Sequence, residues 1–286
     1  MSNLAFGLVM ASAFTHAIWN WLAKRAGGGT AFMWLFSTLS SLIYFPLVVI
    51  LLLRDHPIIG SDQIIFLIGT CVLHLAYYTL LTRGYQVGDL SLVYPLSRGT
   101  GPMISTIGAI FLLGERPTIV AVIGAVMVTV GVFILTGNPF ALAKRQNLPA
   151  VIYGLLTGLT IAAYTLWDKQ AVSAVMIPPL ILTWVSGLSR VLMLMPFAYR
   201  HRDEVYTAWK NHRREAFGIG ILDALSYILF LIALVFSPVS YMGPARQVSI
   251  LFGALLGTQL LAEGDARRRL IAVAVMMVGL ISLALG

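Results

Sequence analysis

Long apolar runs alternate with short polar links along the whole sequence. A helix rises about 1.5 Å per residue and the hydrocarbon core of a bilayer is about 30 Å thick, so roughly 20 apolar residues make one span. Ten such runs can be marked in the 286 residues, at 4–23, 31–53, 64–84, 90–113 and 119–135, then at 150–167, 180–198, 216–236, 239–261 and 270–285. Turn formers stand between them: Gly27-Gly28-Gly29, Pro57, Gly88-Asp89, Gly137-Asn138-Pro139 and Pro178-Pro179. A closed β-barrel would instead show alternating segments of roughly 10 residues. The pattern predicts an all-α integral membrane protein of ten transmembrane helices. The first run begins at Leu4 with no basic stretch before it and no small-residue cleavage site behind it, so it is expected to be a retained helix and not a signal peptide.

Composition points to the same solvent. The chain is 59% hydrophobic and 10% charged, with a mean hydropathy of +0.89, too apolar to present a hydrated surface on all sides. Its net charge of +8 does not imply a nucleic-acid partner, because the basic residues fall in the links between runs. Their distribution is lopsided. Of the 19 basic residues, thirteen follow odd-numbered runs (Lys24, Arg25, Arg83, Lys144, Arg145, Arg200, Arg202, Lys210, Arg213, Arg214, Arg267, Arg268, Arg269) and three follow even-numbered ones (Arg54, Arg116, Lys169). Cytoplasmic loops retain Lys and Arg, so both termini are expected outside the cytoplasm of a bacterial-type inner membrane. Segment 201–215, with Val205, Tyr206 and Trp209 among basic residues, is expected to lie along the cytoplasmic interface. Cys71 has no partner, so neither a disulfide nor a cysteine metal site is available, and no cofactor is expected.

The halves repeat. At an offset of 148, Trp19 meets Trp167, Asn20 meets Asp168 and Gly131 meets Gly279; at 149, His74 meets Asp223, Tyr78 meets Tyr227, Pro95 meets Pro244 and Gly108 meets Gly257. Each copy holds an odd number of runs, so the second enters from the opposite side, an architecture of transporters. The expected organisation is a first repeat at 1–137, a cytoplasmic linker at 138–148 and a second, inverted repeat at 149–286.

Two stretches carry a family likeness: His16-Ala17-Ile18-Trp19-Asn20 with Lys24 after it, and Leu112-Leu113-Gly114-Glu115-Arg116-Pro117-Thr118 at the end of the fourth run. In these the chain resembles the EamA-type ten-helix proteins of the drug/metabolite transporter superfamily over essentially its full length. The second copy departs from the Gly-Glu-Arg step, with Ala262-Glu263-Gly264-Asp265 in its place. The resemblance implies alternating-access transport, with export of amino acids or related metabolites as the commonest activity and the fifth and tenth helices at the periphery. Uptake, exchange, and an organic phosphate, phosphonate or drug substrate stay open, as does the use of a coupling proton.

Ionisable groups deep in a membrane need partners or water, so their positions single out candidates. Five runs carry i, i+4 doublets on one face: His16/Asn20, His74/Tyr78, Tyr94/Arg98, Tyr164/Asp168 and Asp223/Tyr227. Four of them form repeat-related sets and are expected around one central space. Trp19 and Trp167 are candidates to line it, with interfacial packing as their alternative, and Asp168, beside Lys169 at a predicted helix end, has a solvated salt bridge as its alternative. Arg98 and Arg246 enter their runs from opposite ends to a depth of roughly 10–12 Å. Pro95, Pro102 and Pro244 are expected to interrupt the same helices and free backbone carbonyls. The candidate substrate-binding set is therefore His16, Trp19, Asn20, His74, Tyr78, Tyr94, Arg98, Tyr164, Trp167, Asp223, Tyr227 and Arg246. His74 and Asp223 are the candidates for proton coupling. Interhelical hydrogen bonding is the structural alternative for each of these residues.

Arg98, Arg190 and Arg246 outnumber Asp223 and Asp168, so a small amphipathic anion or zwitterion such as an amino acid is the expected substrate. Arg190 has a purely structural bridge as its alternative. Gly154-x-x-x-Gly158 and Gly253-x-x-x-Gly257 offer close helix approach. A membrane-embedded enzyme is the competing class, but the spans carry no His-x-x-x-His pair and no Gly-x-Ser-x-Gly elbow. The remaining expected partner is the lipid bilayer, with the chain a monomer or weak dimer. With Cys71 replaced, a cysteine introduced at Trp209 is expected to react with a membrane-impermeant maleimide in inverted vesicles but not in intact cells. Labelling from outside would overturn the orientation.

Overall fold

The computed structural model describes residues 2–87, 90–136, 148–256 and 266–286. They form eleven helices and, among the described residues, no strand: α1 (Asn3–Arg25), α2 (Thr30–Asp55), α3 (Ser61–Val87), α4 (Leu90–Leu112), α5 (Ile119–Thr136), α6 (Leu148–Ser173), α7 (Pro179–Arg200), α8 (Arg202–Phe236), α9 (Val239–Arg246), α10 (Ser249–Leu256) and α11 (Ala266–Leu285). The predicted linker and the Ala262-Glu263-Gly264-Asp265 step lie wholly or largely outside the described residues.

Local chemistry sets the boundaries. The Ser2 side chain accepts from the Ala5 N–H at 3.2 Å and caps α1. Pro179 opens α7, where its missing N–H costs nothing. Gly114 ends the α4 exit in the left-handed region (φ +69°), which lets the Glu115 N–H turn back to the Ala109 carbonyl at 3.1 Å. Segment 201–215 is helical and continuous with α8 across a kink at His212 (φ −131°).

Three expectations change. The run at 239–261 is not one helix: α9 ends at Arg246, and Gln247 and Val248 turn back onto the Pro244 and Ala245 carbonyls before α10 begins. Pro102, by contrast, does not break α4, and its carbonyl accepts from Ser105 and Thr106 at 2.9 Å each. The run predicted to stop at Trp167 continues to Ser173, which puts Asp168 inside α6.

Five helices, α2, α3, α6, α7 and α8, are long and apolar enough to cross a membrane, and Ile119–Ile134 and Leu270–Leu285 are shorter apolar stretches. Outward-facing leucine and isoleucine side chains such as Leu42, Ile50, Ile68, Ile123 and Ile152 leave the bundle exterior apolar. Inside, α1 packs on α8, α2 on α7 and α8, α3 on α6, α4 on α6, and α5 on α11. The α4–α6 contact depends on Gly158, where a Cβ would meet Thr100 Oγ1 at 2.1 Å. Gly253 of the second small-residue pair faces open space, and Gly257 lies outside the described residues.

Gly158→Val is expected to lower stability by about 1–3 kcal/mol through overpacking. Gly253→Ala should stay within about 0.5 kcal/mol of the parent. Thermal unfolding in detergent reads both, and equal midpoints for the two variants would refute the assigned α4–α6 packing.

Candidate functional site

Helical spacing brings the chemistry to one interior space. On α3, Thr70, His74, Tyr77, Tyr78, Leu81, Thr82 and Tyr85 recur every three or four residues and so share a face. α8 contributes Asp223 and Tyr227 by the same spacing. With parts of α1, α2, α4, α6, α7 and α9 these faces enclose a cavity of about 460 Å³. It reaches the turn between α1 and α2 at Gly28, Gly29 and Thr30, and none of its lining residues comes from the α8–α9 corner.

His16, Trp19, Asn20, His74, Tyr78, Tyr94, Arg98, Tyr164, Asp223, Tyr227 and Arg246 all line this cavity. Trp167 does not. Its indole stacks on Phe66 at 4.5 Å, donates to the Phe66 carbonyl at 2.9 Å, and lies where a Cβ on Gly69 would stand, so it locks α6 to α3. Tyr77, Tyr85, Arg190, Thr183, Ser186 and Ser189 line the cavity without having been singled out for it from the sequence. Tyr77 and Tyr85 could have been found by extending the His74/Tyr78 face in both helical directions.

Asp168 is the buried centre of the wall. It is fully buried; Oδ1 accepts from Thr70 Oγ1 at 2.6 Å, and Oδ2 meets His74 Nε2 at 2.9 Å and the Tyr227 hydroxyl. The solvated bridge to Lys169 does not form. The Lys169 ammonium instead donates to the Leu234 and Ser237 carbonyls at the end of α8. His74 thus pairs with Asp168 and not with its repeat-related Asp223, and its ring lies against Tyr164 (4.4 Å) and Tyr227 (5.3 Å). Asp223 is bridged by Arg190 at 3.3 Å.

The other two guanidiniums are placed differently. Arg98 donates to His16 Nε2 at 3.2 Å, which leaves the His16 hydrogen on Nδ1, and its carbon lies 5.5 Å from the Tyr94 ring centre. Arg246 sits over Tyr227 (5.1 Å) and Phe230 (4.3 Å). Among the described residues neither has a carboxylate within 4.0 Å. The site can therefore attract an oxyanion to two cations while the tyrosines offer apolar faces with a donor at the tip. Among the described residues no group of three His, Cys, Asp or Glu side chains comes together to hold a metal.

Outside the cavity, Glu115 of the Gly-Glu-Arg step caps α9. Its carboxylate accepts from the Val239 and Ser240 N–H groups at 2.7 and 2.9 Å and from the Ser240 hydroxyl at 2.7 Å.

Comparison with known proteins places this geometry. The model of the EamA-like transporter family matches residues 3–137 and again 148–285. No curated protein sequence gives a significant match. A solved structure titled only as a crystal structure of a protein superposes with a TM-score of 0.75 at 15% identity, covering 99% of this chain and 97% of that one, a likeness of fold alone.

Asp168→Ala would strand three donors, each costing about 1–3 kcal/mol when buried and unmet. A loss of about 3 kcal/mol or more is expected from thermal unfolding. Asp223→Ala should lose about 1 kcal/mol or less, because it and Arg190 remain 21% and 28% exposed. A loss at Asp168 no larger than that at Asp223 would remove Asp168 from the centre of the wall.

Proposed function

This chain belongs to the EamA-like transporter family, and from that premise we propose that it is a secondary carrier moving small organic anions by alternating access. In this reading ten spans form two inverted five-helix repeats, with α9 and α10 together making the ninth span. In the same reading the cavity mouth at Gly28–Thr30 faces the cytoplasm of a bacterial inner membrane and both termini lie outside, a reading supported by thirteen basic residues against three. The observation that carries the proposal is one roomy cavity lined from both matched repeats. It holds two guanidiniums with no carboxylate within 4.0 Å among the described residues, alongside rings that suit an amphipathic cargo.

Amino acids and related amphipathic carboxylates, moved outward, are the cargo and direction that the sequence likeness implies. Organophosphates or phosphonates are the second reading, supported by Arg98 and Arg246 lining the same cavity, because guanidinium forks bind phosphorus oxyanions bidentately. Proton coupling, if the cycle uses it, falls to His74 with Asp168, since among the described residues this pair joins a cavity-facing imidazole to a buried carboxylate.

Purified protein in liposomes, screened with amino acids, organophosphates and cationic drugs with and without a pH gradient, tests the proposal. Arg98→Ala and His74→Ala are each expected to cut flux of the carried solute at least tenfold while the protein remains monodisperse. Unchanged flux in both would detach this cavity from transport.

A further inference from the structure

We infer that segment 202–211, at the start of α8, is a docking surface for the head groups of anionic phospholipid, formed by Arg202, Tyr206, Trp209 and Lys210. It rests on the family's being a membrane family and on neither the cargo nor the direction proposed above.

The segment sorts its side chains by helical angle. The kink at His212 separates it from the apolar part of α8. Of residues 202–212 only Val205, Ala208 and His212 are half-buried, and they recur at i, i+3 and i+7 on the side that meets the bundle. Ala208 packs on the cluster of Phe32, Phe36 and Ile219, and the His212 ring lies 6.2 Å from Phe32. Successive side chains turn by about 100°, so Arg202, Tyr206, Trp209 and Lys210 share the neighbouring sector, about 100° wide. Asp203, Glu204, Thr207 and Asn211 fill the sector beyond it. One apolar seam, one basic and aromatic face and one acidic and polar face follow in order round the helix.

Ring contacts say which face meets lipid. Trp209 lies 5.9 Å from Phe217, which is 44% exposed within the apolar run 216–236, so the basic and aromatic face adjoins the lipid-facing side of the span. Tyr206, one turn earlier, is exposed as well. Trp and Tyr settle at head-group level, with the ring in the apolar boundary and the N–H or O–H toward water. The cations supply the selectivity. Arg200, Arg202, Lys210, Arg213 and Arg214 are all exposed, and among the described residues no carboxylate lies within 4.0 Å of any of them. Glu215, the next acidic residue, is engaged by Arg25 at 3.8 Å. A cluster of this size at the end of a span favours anionic lipid by about fivefold per charge. A soluble anion would satisfy Arg202 and Lys210 but leave the rings of Tyr206 and Trp209 in water, whereas a lipid head group meets both needs at once.

The test is thermal unfolding of the full-length protein in neutral detergent micelles doped with dioleoylphosphatidylglycerol or dioleoylphosphatidylcholine, with glycerol 3-phosphate as the soluble head group. The phosphatidylglycerol is expected to raise the midpoint saturably at a mole fraction at least tenfold below the phosphatidylcholine, with no shift from glycerol 3-phosphate. Arg202→Gln combined with Lys210→Gln should narrow that gap to threefold or less. Arg54→Gln combined with Arg116→Gln removes two exposed charges elsewhere on the chain and should leave the gap intact. Equal responses to the two lipids, a gap that survives Arg202→Gln with Lys210→Gln, or an equal loss from both pairs overturns the surface. So does a shift from glycerol 3-phosphate, which would make this a site for free anions. All four positions are exposed, so neither double variant removes a packed side chain. A protein that carries solute in liposomes without this lipid preference sinks the surface and leaves the carrier standing; the preference in a protein that moves no solute does the reverse.

Discussion

A charge in an apolar interior persists only where a partner or water compensates it, and that constraint organises this bundle. Asp168 shows it most directly. Its carboxylate is fully buried and takes donors from Thr70 and His74 on α3 and from Tyr227 on α8, so one side chain of α6 is tied to two neighbouring helices. Charge-assisted hydrogen bonds are roughly twice as strong as neutral ones, and the one from Thr70 is made in a buried position. The tie also crosses the two matched halves: α3 lies within 3–137, whereas α6 and α8 lie within 148–285. Because His74 and Tyr227 face the cavity from the same cluster, the wall's rigidity and its chemistry come from the same contacts.

The broken α9–α10 segment obeys the same constraint through the backbone. An eight-residue helix is too short to be stable alone, so α9 must be held at its ends. Glu115 supplies an anion at its N-terminus, and Lys169 supplies a cation to the carbonyls that end α8 just before it. Arg246 occupies the last turn of α9, where the helix's own carbonyl end favours positive charge. α9 is thus capped at its N-terminal corner and delivers a guanidinium to the cavity from its last turn, and the Gly114 turn brings Glu115 to that corner.

Hydropathy made the helices legible because lipid-facing and core-facing residues are both apolar, so the runs stand out whichever way they face. The doublets on α1, α3, α4, α6 and α8 were legible because polar groups at i, i+4 must share a face, and a shared polar face in an apolar helix has few places to go. Asp168 was misread because its chain neighbour Lys169 offered an obvious partner. The adjacent side chains point about 100° apart on a helix and part company, one to the cavity wall and one to the α8 carbonyls. Trp167 was misplaced for the same reason: one residue along the helix turns it away from the cavity and onto Phe66. The break after Arg246 falls two residues beyond Pro244, which was expected to interrupt that helix, whereas the role of Glu115 joins segments more than a hundred residues apart and had no local signal.

α9 also connects two features that the sequence keeps apart. Its N-terminus is clamped by Glu115 at the α8–α9 corner, away from the cavity, and its C-terminal turn presents Arg246 to the cavity. Eight residues of helix span about 12 Å, short enough to move as a rigid piece. One helix therefore ties the loop after α4, through the three acceptor contacts of Glu115, to a guanidinium held over the Tyr227 and Phe230 rings of α8.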